Sequence, residues 1–288
     1  AGVDVAGLDA TAAAAKLEAS RATFQRDVSV QVGSKKFRLS AGQAVYSVDV
    51  PGSVSAALAA KGPGNVNPVV KYKDDNVRAF VKKLAEQSYR APKDARIAIT
   101  VDRIRVAPHT VGRRVDVNPL AASIEKALKD PVAPRFFQPK RVAVKAAVTK
   151  GTLKKTYRTI LTVNRNTFKL RLFKDLKLSK TYSIAVGAAG HDTPSGLYKI
   201  SNKAVNPVWS VPNSAWAGDL AGTTVPGGAP NNPLKARWLG IVDGVGIHGT
   251  SEDWSIGSRA SHGCLRMHVS DVKDLYPRVP VGTTVLIK

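Results

Sequence analysis

The sequence is poor in the residues that mark several common protein classes. One cysteine in 288 residues means that no disulfide can form within the chain. Aromatic residues make up only 6% of the composition, and no RNA-binding, zinc-finger or helix-turn-helix pattern occurs, which argues against a nucleic-acid partner. No apolar run reaches the roughly 18 residues of a membrane-spanning helix. Whether a signal peptide or membrane anchor has been removed from in front of Ala1 is a question that the sequence leaves open.

Acidic residues are also scarce. The chain has 21 of them against 44 basic residues, for a formal charge of +23. The basic residues are densest from Lys154 to Lys180, where only Asp175 opposes them. Such a field attracts polyanions, whereas a solvated basic surface would serve solubility alone. Anionic polymers of a cell envelope are a third interpretation, and therefore candidate partners.

The first half of the chain has the pattern of an α+β module. Three Val-Asp-Val segments, beginning at Val3, Val48 and Val115, each precede an Ala-rich stretch with helical apolar spacing. Each such unit predicts a short strand, a turn and an amphipathic helix. A longer helix is predicted over residues 75–86. Lys150-Gly151 is the predicted boundary, which gives residues 1–150 as a binding or positioning module.

Short strands separated by Gly/Pro turns dominate residues 151–288. This spacing predicts a mostly-β, sandwich-like domain. A long segment rich in Gly, Pro and Asn lies between Ile200 and Trp238, and segments of this kind often form lids or binding loops. The predicted strands are 159–164, 167–173, 182–186, 196–200, 239–242 and 284–287.

The only cysteine, Cys264, follows Ser261-His262-Gly263 and lies sixteen positions after His248. A thiol near its ordinary pKa is mostly protonated at pH 7, so a nucleophilic cysteine needs a base such as a neutral imidazole. The N–H groups of Gly263 and Cys264 are candidate donors to a tetrahedral oxyanion. A small buried hydrophobe is the simplest alternative. Zinc is another, with His248, His262, Cys264 and His268 as its four ligands.

The surrounding motifs resemble the L,D-transpeptidase (YkuD-type) catalytic domain over roughly residues 157–288. The first half resembles, more weakly, the peptidoglycan-binding-like modules that precede such domains. The motifs that carry the first resemblance are His248-Gly249-Thr250, Ser261-His262-Gly263-Cys264-Leu265-Arg266 and Thr193-Pro194-Ser195-Gly196.

The resemblance implies a role for each matching residue. Cys264 is the expected nucleophile, and His248 is the expected base and acid, oriented by the carbonyl of Gly249. His262 is expected to line the site, and Gly263 to form the oxyanion hole together with Cys264. Further candidate substrate contacts are Ser261, Arg266, Trp254 and Thr250, of which Arg266 fits a loop-supporting role better.

The implied function is cysteine-dependent formation of 3→3 cross-links between peptidoglycan stem peptides through a thioester. The expected partners are stem peptides and glycan, on the outer side of a bacterial cytoplasmic membrane, with no metal or organic cofactor. An alternative function is that of an L,D-carboxypeptidase, which trims tetrapeptide stems through the same acyl-enzyme, and the sequence leaves this alternative open. A non-catalytic cell-wall-binding protein is the other alternative.

Overall fold

The chain is divided between two units in the computed structural model, which describes residues 2–62 and 64–288. Unit 1 runs to Lys93 and resumes over Thr110–Ala146, and unit 2 comprises Asp94–His109 and Ala147–Lys288. The chain passes from unit 1 to unit 2 for the last time after Ala146, close to the boundary predicted at Lys150-Gly151. Residues 94–109, which the sequence places in the first module, belong to unit 2.

The helices and strands of the described residues are as follows. The helices are α1 (Ala10–Ala19), α2 (Arg21–Phe24), α3 (Val50–Leu58), α4 (Asp74–Ser88), α5 (Val117–Lys129), α6 (Lys150–Thr156) and α7 (Val269–Arg278). The strands before α6 are β1 (Val28–Val32), β2 (Lys35–Leu39), β3 (Ser47–Val48), β4 (Val70–Lys71), β5 (Arg96–Ile99), β6 (Ile104–Ala107), β7 (Gly112–Val115), β8 (Phe136–Phe137) and β9 (Arg141–Val144).

The strands after α6 all belong to unit 2. They are β10 (Thr159–Asn164), β11 (Lys169–Lys174), β12 (Lys177–Ser183), β13 (Val186–Gly187), β14 (Gly196–Lys199), β15 (Asn202–Val205), β16 (Trp209–Ser210), β17 (Thr224–Val225), β18 (Lys235–Val242), β19 (Val245–Thr250), β20 (Arg259–Ser261), β21 (Leu265–His268) and β22 (Thr284–Ile287). Two 3-10 segments, Ala215–Leu220 and Asp253–Ser255, lie in the loops.

Aspartate residues set the starts of three helices in unit 1. Asp9, Asp49 and Asp116 are the N-caps of α1, α3 and α5, and the first two accept hydrogen bonds from backbone N–H groups of the first helical turn. The three helices predicted after the Val-Asp-Val segments are therefore present. The strand predicted at residues 3–5 is wrong, since those residues lie outside regular structure.

A three-stranded sheet, in the order β2-β1-β8, and helices α4 and α5 form the core of unit 1. Val77, Val81 and Leu84 recur at helical spacing along α4 and are fully buried. Strand β2 pairs with β1 on one side only and forms an edge of the sheet.

Unit 2 is built from two main sheets that share one hydrophobic core. The strand orders are β12-β11-β10-β22-β14 and β15-β18-β19-β21. Leu161 and Leu170 of the first sheet and Ile247 and Leu265 of the second belong to the same buried cluster, to which α7 adds its apolar face. The predicted fold class, an α+β region followed by a largely β domain, is confirmed. No helix of the described residues is long and apolar enough to cross a membrane.

The β5–β6 hairpin packs on the five-stranded sheet of unit 2. Thr162, fully buried in β10, donates its hydroxyl hydrogen to Val101 O at 2.7 Å. Arg171 donates to the same carbonyl at 3.2 Å and pairs with Asp102 at 3.0 Å. Because a buried hydroxyl without a partner is costly, the hairpin completes the hydrogen bonding of this sheet.

Candidate active site

The predicted base, His248, lies in β19, and the predicted nucleophile, Cys264, directly precedes β21, which pairs with β19 in parallel. In the register of β19 and β21, Ile247 is opposite Leu265 and His248 is opposite Arg266. Side chains alternate along a strand, and Ile247 and Leu265 point into the core. His248 and Arg266 therefore share the other face. Cys264, two residues before Arg266, continues that face where β21 begins.

His248 is held as a neutral, oriented imidazole. Its ring is buried, with 4% exposed, and Nδ1 lies 2.8 Å from Gly249 O. A carbonyl only accepts, so Nδ1 carries the hydrogen and Nε2 is left as a proton acceptor. Burial lowers the pKa of His248 to about 4, and nearby Arg266 acts in the same direction against the Gly249 hydrogen bond.

Glycine is required where the strands around His248 approach each other. A Cβ at Gly249 would lie 2.4 Å from Lys235 O of β18, and a Cβ at Gly246 would lie 2.5 Å from the ring of Trp238. Trp238 stacks beside His248 with ring centroids 6.1 Å apart, and its indole N–H donates to Asn202 Oδ1 at 2.8 Å. The sequence analysis did not identify Trp238 and Asn202 as neighbours of the site. In the sequence, only the two glycines near His248, Gly246 and Gly249, indicate this close packing.

Cys264 is half-buried against backbone groups of the β18–β19 turn. Its Sγ lies 3.7 Å from Gly244 O. Burial raises the pKa of the thiol, while the backbone of Gly246 and the charge of Arg266 act in the opposite direction. The thiol is therefore protonated at neutral pH, and its reactivity depends on a base.

A compact hydrogen-bond network shapes the loop that carries the thiol. Ser261 Oγ donates to Cys264 O at 2.6 Å and accepts from the Gly263 N–H at 3.2 Å. Thr193, almost fully buried, donates its hydroxyl hydrogen to Gly263 O at 2.8 Å and accepts from the Gly187 N–H at 2.9 Å. Gly263 has a φ of +105°, which a side chain rarely adopts.

This hydrogen-bond network involves one of the two N–H groups, those of Gly263 and Cys264, that the sequence analysis predicts as donors to an oxyanion. The Gly263 N–H is directed at Ser261 Oγ, so it would have to leave that hydroxyl before serving a reacting oxygen. The Cys264 N–H is the remaining donor of the predicted pair. Ser261 thus acts within the loop, since both of its hydrogen bonds are made to loop backbone.

His262 lies among aromatic rings rather than beside His248. It is exposed, stacks on Trp216 with centroids 4.1 Å apart, and meets His191 edge to face at 4.8 Å. Contact with these groups lowers the pKa of His262, chiefly by desolvation and also by the neighbouring His191. His262 therefore lines the surface next to the cysteine loop, beneath a tryptophan of the long 201–237 segment.

Thr250, Arg266 and Trp254 are placed differently from one another. Thr250 is buried, and its hydroxyl accepts from the Glu252 N–H at 3.0 Å. Arg266 pairs with the Glu252 carboxylate, which fits the loop-supporting role. Trp254 is 77% exposed and is free to contact a ligand. The polar groups of the first two are thus already engaged within the protein.

The zinc alternative finds no support in the arrangement of these side chains. His268 Nδ1 lies 2.7 Å from Asp253 Oδ1, and His262 packs against aromatic rings. Across the part of the chain that the structure describes, no three His, Cys, Asp or Glu side chains are grouped so that they could hold a metal ion.

Much of the basic stretch from Lys154 to Lys180 has contacts within unit 2. These cations bind carbonyls, hydroxyls or carboxylates, which leaves fewer of them for an external polyanion. The contacts are Arg165 with Thr193 O at 2.6 Å, Lys169 with Ser183 Oγ at 3.0 Å, Arg171 with Asp102 at 3.0 Å, Lys174 with Thr159 Oγ1 at 2.8 Å and Lys180 with Asp274 at 3.0 Å.

Both units match known families. Residues 158–287 match the family described as "L,D-transpeptidase catalytic domain", and residues 31–134 match the one described as "Putative peptidoglycan binding domain". The protein described as "Putative L,D-transpeptidase YqjB" of Bacillus subtilis is 40% identical over 131 residues, which are 43% of this chain and 68% of that protein.

Two further relatives match a similar share of this chain. "Probable L,D-transpeptidase YbiS" of Escherichia coli K12 is 36% identical over 130 residues, 42% of each chain. The solved catalytic domain of the E. faecium L,D-transpeptidase is 28% identical, with 46% of this chain and 98% of that one covered at a TM-score of 0.36. At that TM-score the family assignment rests on the sequence relatives.

Proposed function

This chain belongs to the L,D-transpeptidase family, and we propose that it forms 3→3 cross-links between peptidoglycan stem peptides. The observation that carries the proposal is the pairing of β19 with β21. It sets a neutral, oriented His248 on the same sheet face as the only thiol, Cys264. The match of residues 31–134 supports a wall polymer as the partner and a cell-envelope location.

The first half-reaction acylates Cys264. His248 Nε2 takes the thiol proton as Sγ attacks the carbonyl of the diamino acid that precedes D-Ala in a donor stem. The oxyanion receives the Cys264 N–H as its first donor. Collapse of the tetrahedral intermediate breaks the C–N bond, and His248 passes its proton to the leaving amine of D-Ala. A thioester and a neutral imidazole remain.

The second half-reaction returns the thiol. The side-chain amine of a second stem attacks the thioester carbonyl, and His248 accepts a proton from that amine. Collapse breaks the C–S bond, forms the cross-linking amide and returns the proton to Sγ. Water in place of the amine would give the carboxypeptidase outcome from the same acyl-enzyme.

The test is intact-mass analysis after incubation with a carbapenem, which acylates enzymes of this type without needing a second stem. We expect one adduct on the wild-type chain and none on Cys264→Ser. A folded wild-type chain that forms no adduct would count against the proposal and favour a non-catalytic wall-binding protein.

Purified tetrapeptide stems then distinguish the two catalytic outcomes. Cross-linked dimers with release of D-Ala are the expected products. Tripeptide alone, at stem concentrations that should saturate an acceptor site, would assign the chain as a carboxypeptidase instead.

A further inference from the structure

Trp238 of β18 lies directly opposite His248 of β19 in the antiparallel pairing of these two strands. Cross-strand partners of this kind present their side chains on the same face of the sheet. The two rings stack with an interplanar angle of 23° and with centroids 6.1 Å apart, a separation typical of offset aromatic pairs. Because Trp238 is half-buried and His248 is buried, the indole is the outer ring of the stack.

A bulge in β18 brings Trp238 to this position. The register with β19 shifts between Lys235 and Trp238, and the residues between them, Ala236 and Arg237, have no partner on that strand. Ala236 has a φ of +66°, a left-handed conformation that is unfavourable for a residue with a side chain. Bulges redirect side chains and are common beside active sites. The strand therefore contains backbone strain at the point that sets the indole opposite the base.

The indole of Trp238 is held at both of its edges. At the pyrrole edge its N–H donates to Asn202 Oδ1 of β15 at 2.8 Å. A Cβ at Gly240 would lie 2.4 Å from that same oxygen, and a Cβ at Gly246 would lie 2.5 Å from Cη2 at the other edge of the ring. A hydrogen bond on one side and close packing against glycine on the other thus fix the orientation of the indole.

An indole in this position keeps water from one face of the imidazole. Desolvation favours the neutral form of a histidine and is the main reason that the pKa of His248 falls to about 4. The charged and titratable groups on the same sheet face are Arg266 and Cys264, and Arg266 acts in the same direction as burial. Helix α7 packs on the opposite face of β19, where its Val272 meets Gly249. The indole face also attracts an imidazolium, but 6.1 Å is at the limit of that attraction, so exclusion of water is the larger effect.

We propose, on the basis of the proposed function in which His248 is the base, that Trp238 is a positioning residue that covers His248 and fixes the tilt of its ring. The hydrogen bond from Nδ1 to Gly249 O holds one corner of the imidazole, and the stack on Trp238 restricts rotation about that corner. Water that reached Nε2 would compete with the thiol hydrogen for the nitrogen lone pair. Asn202 acts one step further out, as the anchor of the indole.

The test follows the titration of His248 by NMR of the histidine ring in the full chain carrying Cys264→Ala, with His248→Gln to assign the signal. We expect Trp238→Ala to raise the midpoint from near 4 toward 6.5 by about one pH unit or more, because water regains access to the ring. Trp238→Phe keeps an aromatic ring on the imidazole and should leave the midpoint within about half a unit. With Cys264 present, Trp238→Ala should slow carbapenem acylation about tenfold at pH 7, since the base is less well oriented.

A matched control separates this contact from the general loss of a tryptophan. Trp209 of β16 is also half-buried in unit 2, and Trp209→Ala should change neither the His248 midpoint nor the acylation rate. Trp238→Leu removes less packing than Trp238→Ala, and its midpoint should lie between those of the phenylalanine and alanine variants. An unchanged midpoint in a folded Trp238→Ala or Trp238→Leu chain would overturn the proposal, as would an equal shift in Trp209→Ala.

Failure of the proposed function gives a different pattern from failure of this role for Trp238. The titration in the Cys264→Ala chain requires no acylation and reports only on how the indole covers His248. A wild-type chain that forms no carbapenem adduct would remove the role of His248 as base, and with it the role of Trp238 in the reaction. A chain that forms the adduct while its His248 midpoint ignores Trp238→Ala would overturn the role of Trp238 alone.

Discussion

The two residues that we propose to be catalytic, His248 and Cys264, are kept uncharged by their surroundings. Burial lowers the pKa of His248 and raises that of Cys264, so both favour their neutral forms at pH 7. A thiolate–imidazolium pair formed in advance would have the opposite shifts. The site therefore favours proton transfer to His248 during attack, when the substrate carbonyl can take up the developing charge.

The pH dependence of acylation follows from these pKa directions. Because the folded-state pKa of His248 is about 4, its neutral form persists well below the 6.5 of an ordinary histidine. The rate of carbapenem acylation should therefore fall on the acid side with a midpoint near pH 4. Rapid-mixing mass spectrometry across pH 3.5 to 9, with circular dichroism to verify folding, measures it.

Stability sets the conditions for that measurement. The unfolded chain binds a proton at His248 near pH 6.5 and the folded chain only near 4, so the free energy of unfolding decreases as the pH falls between these values. Rates should be collected well below the unfolding temperature. His262→Gln should keep the acid midpoint unchanged if His248 is the base. An acid midpoint near 6.5 in the wild-type chain would contradict the assignment.

The choice of His248 over His262 could be predicted only from the family resemblance. Both lie within sixteen residues of Cys264, and His262 is nearer in sequence. The register that places His248 opposite Arg266 depends on a parallel pairing that closes a long crossover. Local sequence carries no information about such a register. The hydrogen bond from the Gly263 N–H to Ser261 Oγ likewise depends on the folded geometry of the loop.

At the scale of elements, Thr193 connects two segments that hold the cysteine loop. Its hydroxyl bridges the Gly187 N–H of β13 and the Gly263 carbonyl. Gly187 must be glycine, since a Cβ there would lie 2.0 Å from His191 O. The Thr-Pro-x-Gly motif was identified from the resemblance, but the contact with Gly263 required the folded chain.

Thr193→Val should therefore loosen the loop. It keeps the shape of the side chain and removes one donor and one acceptor from a buried site, which costs about 2 to 4 kcal/mol in the free energy of unfolding. The acylation rate of Cys264 should fall as well, because Gly263 O loses its donor. Urea unfolding and the carbapenem rate measure the two effects. Thr193→Ser retains the hydroxyl and should recover most of both; equal behaviour of the two variants would refute the bridging role.

Prediction of elements from sequence succeeded where local chemistry decides them. Amphipathic spacing identified α4, and the pattern of short strands between Gly/Pro turns identified β10. The failure at residues 3–5 has a local cause too. An aspartate between valines fits a turn as well as a strand, and Asp4 accepts a hydrogen bond from the Ala6 N–H two residues ahead, whereas Val48 and Val115 end the strands β3 and β7.

At the scale of the whole molecule, the division into units differs from the order of the sequence. The β5–β6 hairpin lies far ahead of Lys150 in the chain but satisfies the buried hydroxyl of Thr162 in β10. The proline and glycine residues and the changes in composition predict a single boundary between domains. They cannot reveal that an earlier hairpin returns to the later domain, since that depends on contacts between distant residues.

The contribution of the hairpin can be measured with a pair of variants. Thr162→Val in the full chain removes the hydrogen bond to Val101 O and should cost about 1 kcal/mol, lowering the unfolding temperature by about 3 °C. In a chain of residues 151–288, which lacks Val101, the same change should be neutral or stabilising, because the hydroxyl has no partner there. Thermal unfolding of the four proteins gives the comparison. An identical shift in both backgrounds would show that the hairpin contact contributes nothing.

The position of β22 has a consequence for the order in which unit 2 forms. This strand lies between β10 and β14, with Ile160 opposite Thr284, although more than a hundred residues separate them in sequence. During synthesis, β14 cannot join the five-stranded sheet until residues 284–287 have been made. Pairings of such long range close slowly. Cys264 and His248 are thus translated before the sheet that supports their core is complete, and we expect the cysteine loop to become fully ordered only after β22 has paired with β10 and β14.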